Sequence, residues 1–226
     1  MEIIRFIKLW DAQNTKKDFL GNPFSFSKFT LNIIDMKIVK QITDYMLALA
    51  SLFLLIIPML IIYIITCIST QNNGLFMQKR IGKGGKEFNL YKYRTMKGHY
   101  NTFVTTSQMN ITPWGKILRK YKLDELPQIF NILKGEMSWV GPRPDVPGYA
   151  DLLSGKSSII LTVKPGITGP AQLKYRNEQE ILSKVSDPQK YNDEILWKDK
   201  VLINIDYIEN WSMANDFKYI WQTLFS

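Results

Sequence analysis

Two adjacent carboxylates, Asp124 and Glu125, stand at the end of a strongly basic stretch that includes Lys116, Arg119, Lys120 and Lys122. Just after them, Leu126, Ile129, Phe130 and Leu133 recur at helical spacing, which predicts a helix with one buried face. Pro127 is well tolerated only in a first turn, so this helix is predicted to start close to Asp124. Gly135 fits its C-terminal cap. The carboxylates then lie at a helix N-terminus, where free N–H groups and the dipole keep anions charged and let a phosphate dock beside them. An Asp at such a place also serves as a plain cap. The second carboxylate and the cations before the pair favour phosphate chemistry over capping alone.

Other cations have the spacing for the same chemistry. Arg143 is held between Pro142 and Pro144, so its backbone is stiff on both sides. Rigid placement of a planar donor fork suits phosphate recognition, although a Pro-Arg-Pro run also suits a bare surface loop. Lys92 and Arg94 share a parity, and on an extended strand they point to one face. A solvated strand face is the default reading of such a pair; a phosphate contact is the sharper one.

The elements that must position these residues are legible in outline. Residues 75–97 read as a β-hairpin, with Gly82-Lys83-Gly84-Gly85 connecting two extended runs. Those glycines are too bunched for a dinucleotide fingerprint. Lys164 to Pro170 forms a second turn cluster, and the aromatic-rich stretch from Ile203 to Phe225 reads as a packing helix pair.

No charged residue occurs from Tyr45 to Ile68. The run is apolar on every side and exceeds the ~18 residues of a membrane helix; at ~1.5 Å per residue it reaches about 36 Å, enough for a ~30 Å hydrocarbon core. Pro58 lies near its middle, where a kink or break is expected. Lys28, Lys37 and Lys40 precede the run, and Lys79, Arg80, Lys83 and Lys86 follow it. Such symmetric flanks assign neither end to the outside, so a re-entrant hairpin and a kinked crossing helix both fit. Before the run, Ile3, Ile4, Phe6, Ile7 and Trp10 alternate loosely with charges, as in an interfacial helix or a packed arm, and Gly21-Asn22-Pro23 interrupts the pattern.

The formal charge of +9 suits anionic partners such as lipid headgroups, phosphorylated substrates or nucleic acid. The composition is that of a folded protein rather than a disordered one. The one cysteine, Cys67, excludes an intrachain disulfide and reads as a small buried hydrophobe. With one His as well, a zinc site is not expected, and His99 reads as solvated. The N-terminus carries no secretion signal pattern.

Taken in order, five motifs resemble the monotopic bacterial phosphoglycosyl transferases, the bacterial sugar transferase family. They are Gln78-Lys79-Arg80-Ile81-Gly82-Lys83, Tyr91-Lys92-Tyr93-Arg94-Thr95-Met96, Leu123-Asp124-Glu125-Leu126-Pro127-Gln128, the stretch from Gly135 to Pro144, and Lys164-Pro165-Gly166-Ile167-Thr168-Gly169. The resemblance runs from near Lys37 almost to the C-terminus. It implies an α+β fold, mostly helical with a β-hairpin, in three parts: an N-terminal extension over residues 1–36, a re-entrant membrane helix over 37–70 kinked at Pro58, and a cytosolic catalytic domain over 71–226.

The resemblance also implies an activity at the cytoplasmic face of the bacterial inner membrane. Asp124 is the expected nucleophile toward a UDP-sugar, releasing UMP, and a polyprenyl phosphate, undecaprenyl phosphate, is the expected acceptor. Glu125 is expected to help hold Mg²⁺. Arg119 and Arg143 match phosphate-binding positions, Lys92 and Arg94 match a basic pair of the family's hairpin, and Arg176 matches an arginine near the nucleotide. The sequence departs from the family pattern at Ile57-Pro58, where Ser-Pro is usual, and at Pro170 and Tyr175, where Trp and Gly are usual.

Two other readings account for part of the sequence. A non-enzymatic basic adaptor on the membrane surface accounts for the charge and the apolar run but not for Asp124-Glu125. Nucleic-acid binding lacks a recognisable module. A direct attack by the lipid phosphate, with Asp124 as base, is a mechanistic alternative to the covalent route. The resemblance is compatible with a homo-oligomer.

Overall fold

The computed structural model describes residues 24–98 and 110–225, with side chains described from Lys37 onward except at Gln179. The readings of Ile3 to Asp11 and of His99 fall outside the described residues. Two compact units divide the chain, Met1–Thr43 and Asp44–Ser226. The first contributes the opening of helix α1, Phe24–Thr70, which starts directly after Pro23.

The second unit contains the remainder of α1 and all other described elements. It begins at Asp44, within helix α1. Among the described residues one helix, Lys37–Thr70, is long and apolar enough to cross a membrane, and Pro58 lies inside it.

The run from Tyr45 to Ile68 looks uniform in sequence, but the fold divides it into two faces. Asp44, Ala48, Met59, Ile62, Thr66 and Thr70 are buried, and Leu52 and Leu55 are partly buried against the core. Their spacing of three and four residues is one side of a helix. The remaining face exposes Phe53, Leu54, Ile57, Ile64 and Ile68. The core joins Ala48, Met59 and Ile62 of α1 to Leu90, Tyr93, Leu118, Ile129, Ile132 and Met137. This long apolar helix is thus part of the core of the globular unit.

Strands β1 (Leu75–Ile81) and β2 (Glu87–Tyr93) form the expected antiparallel hairpin, in register from Leu75↔Tyr93 to Ile81↔Glu87. Gly84 and Gly85 in the connection both take φ of 73°, a left-handed conformation that glycine adopts at little cost. Helix α2 (Pro113–Lys120) follows, with Thr112 as N-cap accepting from the Gly115 amide at 2.9 Å and Pro113 in its first turn. The sequence showed this stretch only as a basic run.

Helix α3 (Gln128–Leu133) starts later than expected, and Leu123–Glu125 forms a separate 3₁₀ turn before it. Pro127 is the physical reason: without an N–H it cannot bond back to Leu123, so the α-helical ladder does not extend over the carboxylates. Gly135 ends the helix as expected, at φ 77° with its amide on Ile132 O at 2.8 Å.

Asn131 of α3 is fully buried and ties the helix to the edge of β2. Its Oδ1 accepts from Tyr91 N at 3.1 Å, and its Nδ2 donates to Asn89 O at 2.8 Å and Glu136 Oε2 at 2.7 Å.

A parallel pairing that the sequence did not reveal joins β3 (Ser138–Val140) to β4 (Gly166–Thr168). The two chains approach so closely that a Cβ on Gly166 would lie 2.1 Å from Gly141 N. Short helices α4 (Pro170–Lys174), α5 (Glu178–Ser183) and α6 (Pro188–Tyr191) lead through a π-helical turn, Asn192–Leu196, into α7 (Trp197–Glu209). Helix α8 (Met213–Phe225) completes the C-terminal pair. Tyr207 and Trp211 both donate to the buried Asp216, at 2.8 and 2.9 Å, and hold that pair together.

Asn131→Ala should destabilise the protein by about 2–3 kcal/mol, because it leaves the Tyr91 N–H and Asn89 C=O without their partner. A lowered midpoint of thermal unfolding checks this, and an unchanged midpoint refutes it.

Candidate active site

The carboxylate pair is placed by a reversal of the chain. After α2 ends at Lys120, Lys122 adopts φ 53°, unusual for a residue with a Cβ and costing about 1 kcal/mol or more. Lys122 N bonds to Arg119 O at 3.2 Å, and Glu125 N returns to Lys122 O at the same distance. This left-handed step turns the chain into the Leu123–Glu125 turn and presents both carboxylates on it.

Two cations converge on Glu125. Lys92 Nζ lies 3.3 Å from Glu125 Oε1, and Arg143 Nη2 lies 3.1 Å from the same oxygen. Side-chain exposures of 17% for Lys92 and 15% for Glu125 make this a shielded pair, with Arg143 on the open side at 46%. Arg143 is held by the β3–β4 pairing, where Gly141 N donates to Thr168 O and Gly166 N to Pro142 O. From the other side, Arg80 Nη1 donates to Pro144 O at 3.3 Å and Ile81 N to Asp145 O at 2.9 Å. The Pro-Arg-Pro segment is therefore fixed from both flanks and is not a free surface loop.

The two carboxylates have opposite environments. Burial works to raise the Glu125 carboxyl, but Arg143 and Lys92 outweigh it and hold it down at about 2. Asp124 is raised above the ordinary aspartate value, first by burial and then by the negative charge of Glu125, with Lys92 and Arg119 opposing. Among the described residues, Asp124 makes no ion pair and no hydrogen bond to another side chain. One carboxylate is clamped and the other is left available.

The remaining expected residues divide. Arg119 donates through Nε to Thr95 Oγ1 at 2.9 Å, within electrostatic reach of Asp124. Arg94 follows directly after the end of β2 and is engaged by other partners. Its Nε donates to Asn73 O at 2.9 Å and its guanidinium lies 5.6 Å from the Phe76 ring. Arg176 donates to Gln222 O at 3.1 Å and contributes to the field at Lys122.

The structure adds charges that sequence reasoning did not single out. Lys122 feels Glu125, Arg143, Arg176 and Asp124, and burial lowers its ammonium pKa. Burial pushes Asp145 up to about 7, against Arg80, Lys200 and Arg143. Lys200 meets Glu178 at 2.6 Å. The position of Lys122 beside the pair and of Arg80 in its motif were the available signals; Asp145, Glu178 and Lys200 had none.

Both cations meet Oε1 of Glu125, so Oε2 and the Asp124 carboxylate are the oxygens open to a hard cation. Among the described residues no cluster of three or more His, Cys, Asp or Glu could hold a metal by itself. One or two carboxylates completed by water and substrate phosphate is the usual Mg²⁺ arrangement, and the residues present fit it.

A free carboxylate and a clamped carboxylate among surrounding cations, on a unit built around a long apolar helix, form a site with the chemistry to receive a phosphate. The chain belongs to the bacterial sugar transferase family, whose sequence profile matches residues 35–226. It is similar to the uncharacterized sugar transferase EpsL of Bacillus subtilis (strain 168), at 35% identity over 180 residues, 77% of this chain and 81% of that protein. It is also similar to the UDP-glucose:undecaprenyl-phosphate glucose-1-phosphate transferase of Klebsiella pneumoniae, at 35% over 206 residues, 86% of this chain and 41% of that protein. A third relative is the UDP-N-acetylgalactosamine-undecaprenyl-phosphate N-acetylgalactosaminephosphotransferase of Aeromonas hydrophila, at 34% over 142 residues, 60% of this chain and 34% of that protein. The chain thus spans less than half the length of these two relatives with named activities.

A carbon-13 titration of the carboxyls should find Asp124 protonating above the ordinary 3.8 and Glu125 only near 2. Because Glu125 is depressed on folding, its stabilising contribution is present above its unfolded value of 4.5 and is lost as pH falls toward about 2. Asp124 acts in the opposite sense: its raised pKa favours folding below 3.8, and that contribution is lost as pH rises through its folded value. Arg143→Ala should move Glu125 upward, and an unmoved Glu125 would contradict the clamp.

Proposed function

We propose that this protein transfers a sugar-1-phosphate from a UDP-sugar to a polyprenyl phosphate through a covalent intermediate on Asp124, releasing UMP. The observation that carries this reading is the division of labour in the carboxylate pair: Glu125 is clamped by Lys92 and Arg143, and Asp124 is half-buried, unclamped and raised in pKa. A carboxylate relieved of cation pairing and partly desolvated is the better nucleophile, and covalent catalysis divides one hard displacement into two. The relatives named as sugar-1-phosphate transferases support the donor and acceptor classes.

In the first step an Asp124 oxygen attacks the sugar-bearing phosphorus. The bond from that phosphorus to the bridging oxygen breaks, and UMP leaves with the electron pair. In the second step an oxygen of the polyprenyl phosphate attacks the same phosphorus, and the Asp124 carboxylate is released. The product is a sugar on a polyprenyl diphosphate, suited to the first membrane step of a surface glycan pathway. Phosphoryl transfer is mostly positioning and charge neutralisation. Arg143 and Lys92 reduce the repulsion between Glu125 and an incoming diphosphate, and Arg119, Lys122 and Arg176 extend the cationic field around Asp124. Mg²⁺, held by Glu125 and substrate oxygens, would supply further neutralisation of the phosphates.

The same reading includes a re-entrant α1 at the cytoplasmic face of the inner membrane. Residues on both sides of Pro58, Asp44 before it and Met59 and Thr66 after it, hydrogen-bond to the one globular unit. Both ends of the apolar run on one side of the bilayer accord with those contacts, while the exposed face, including Phe53, Leu54 and Ile57, is suited to lipid.

Full-length protein incubated with Mg²⁺ and a panel of UDP-sugars, without lipid acceptor, should gain the mass of a phosphosugar with one donor. Asp124→Asn should abolish that adduct and lower turnover by about 10³-fold or more, with membrane retention unchanged. UMP release that needs undecaprenyl phosphate, with no adduct, would favour direct attack. No adduct and no UMP release with any donor would sink the transferase reading for those donors.

A further inference from the structure

We propose that α1 is a structural member of the active site, coupled to the reacting groups by Tyr93, Trp114 and Trp139 acting as positioning residues; this rests on the transferase reading above. Three aromatic side chains reach the buried face of the helix with their polar tips. Tyr93 Oη donates to Met59 O at 2.8 Å. Trp114 Nε1 donates to Thr66 Oγ1 at 3.0 Å, and Thr66 is fully buried. Trp139 makes two bonds to Asp44: its Nε1 donates to the backbone oxygen at 3.1 Å and its amide to Oδ1 at 3.2 Å.

Each of the three adjoins one of the site's cations. Tyr93 follows Lys92 on β2, and strand alternation sends Tyr93 to the helix while Lys92 goes to Glu125. Trp114 opens α2, whose last turn carries Arg119. Trp139 lies in β3, and the fixed Gly141–Pro144 segment continues from it to Arg143. The face of α1 from Asp44 to Thr66 therefore sets the spacing of the elements that bear Lys92, Arg119 and Arg143. Flat side chains with few rotatable bonds transmit position better than flexible ones, and buried Tyr and Trp tips need their partners. Because Asp44 precedes Pro58 and the other two contacts follow it, a change in the seating of α1 shifts Arg143 relative to Lys92 and Arg119. Misplacement of a catalytic group by about 1 Å can cost ~10²-fold in rate.

The test uses the full chain in nanodiscs, with Tyr93→Phe, Trp139→Phe and, as control, Tyr91→Phe. Tyr91 is on the same strand, but its hydroxyl meets Lys134 and not α1. The proposal expects Tyr93→Phe to lower kcat for UMP release by about tenfold. In a Lys92→Ala background the further loss should shrink to about twofold or less, because the effect runs through Lys92. Equal losses in both backgrounds, or no loss, would overturn it. Hydrogen exchange supplies an arm independent of activity. Amides of residues 122–126 should exchange faster in Tyr93→Phe and Trp139→Phe but not in Tyr91→Phe, with Gly155–Thr162 unchanged in all. Unchanged exchange at 122–126 overturns the proposal even if the wild type transfers. A wild type that releases no UMP sinks the transferase reading, and the exchange arm then decides the coupling alone.

Discussion

The shielded ion pair at Glu125 is the interaction on which the arrangement of the site depends. Removing a carboxylate from water costs several kcal/mol unless cations and hydrogen bonds replace the lost solvation. Here one oxygen meets Lys92 from the hairpin and Arg143 from the segment after β3. Those residues are distant in the chain, so the charge compensation exists only when the hairpin, the 3₁₀ turn and the β3–β4 pairing are all formed. Folding and the electrostatic state of the site are thereby the same event.

The clamp also separates two carboxylates that are neighbours in sequence. With both cations in contact with Glu125, the partial burial of Asp124 and the repulsion of its neighbour outweigh Lys92 and Arg119, and its affinity for protons rises. Differential environment is how one pair of like groups acquires two roles. Pro127 contributes by stopping the α-helix short of the pair, so the turn at Leu123–Glu125 is set by Lys122 and not by a regular helical ladder.

Helix α1 presents two unlike faces. Its buried face supplies core side chains, and its opposite face exposes a continuous set of large apolar residues. A charge-free run on this scale suggested a lipid-surrounded segment, and the polar atoms that mark the other face, Thr66 Oγ1 and the backbone oxygens of Asp44 and Met59, have no signature in a periodicity of apolar residues. The compact unit consequently starts inside the helix.

By itself, the sequence determined the hairpin, the glycine that ends α3, the C-terminal helix pair, the family and the carboxylate pair. Each of these rests on short-range physics: strand alternation, turn chemistry, helical spacing, or an ordered set of local motifs. Tertiary structure alone decided which cations reach the pair. Arg94 has the parity of Lys92, yet Asn73 and Phe76 take it, while Arg143 closes on Glu125. It also decided the parallel β3–β4 pairing, the late start of α3 and the inward face of α1. The reason is range: a Coulomb interaction in a shielded site is settled by a few ångströms between segments remote in the chain, and no local pattern of residues encodes that distance.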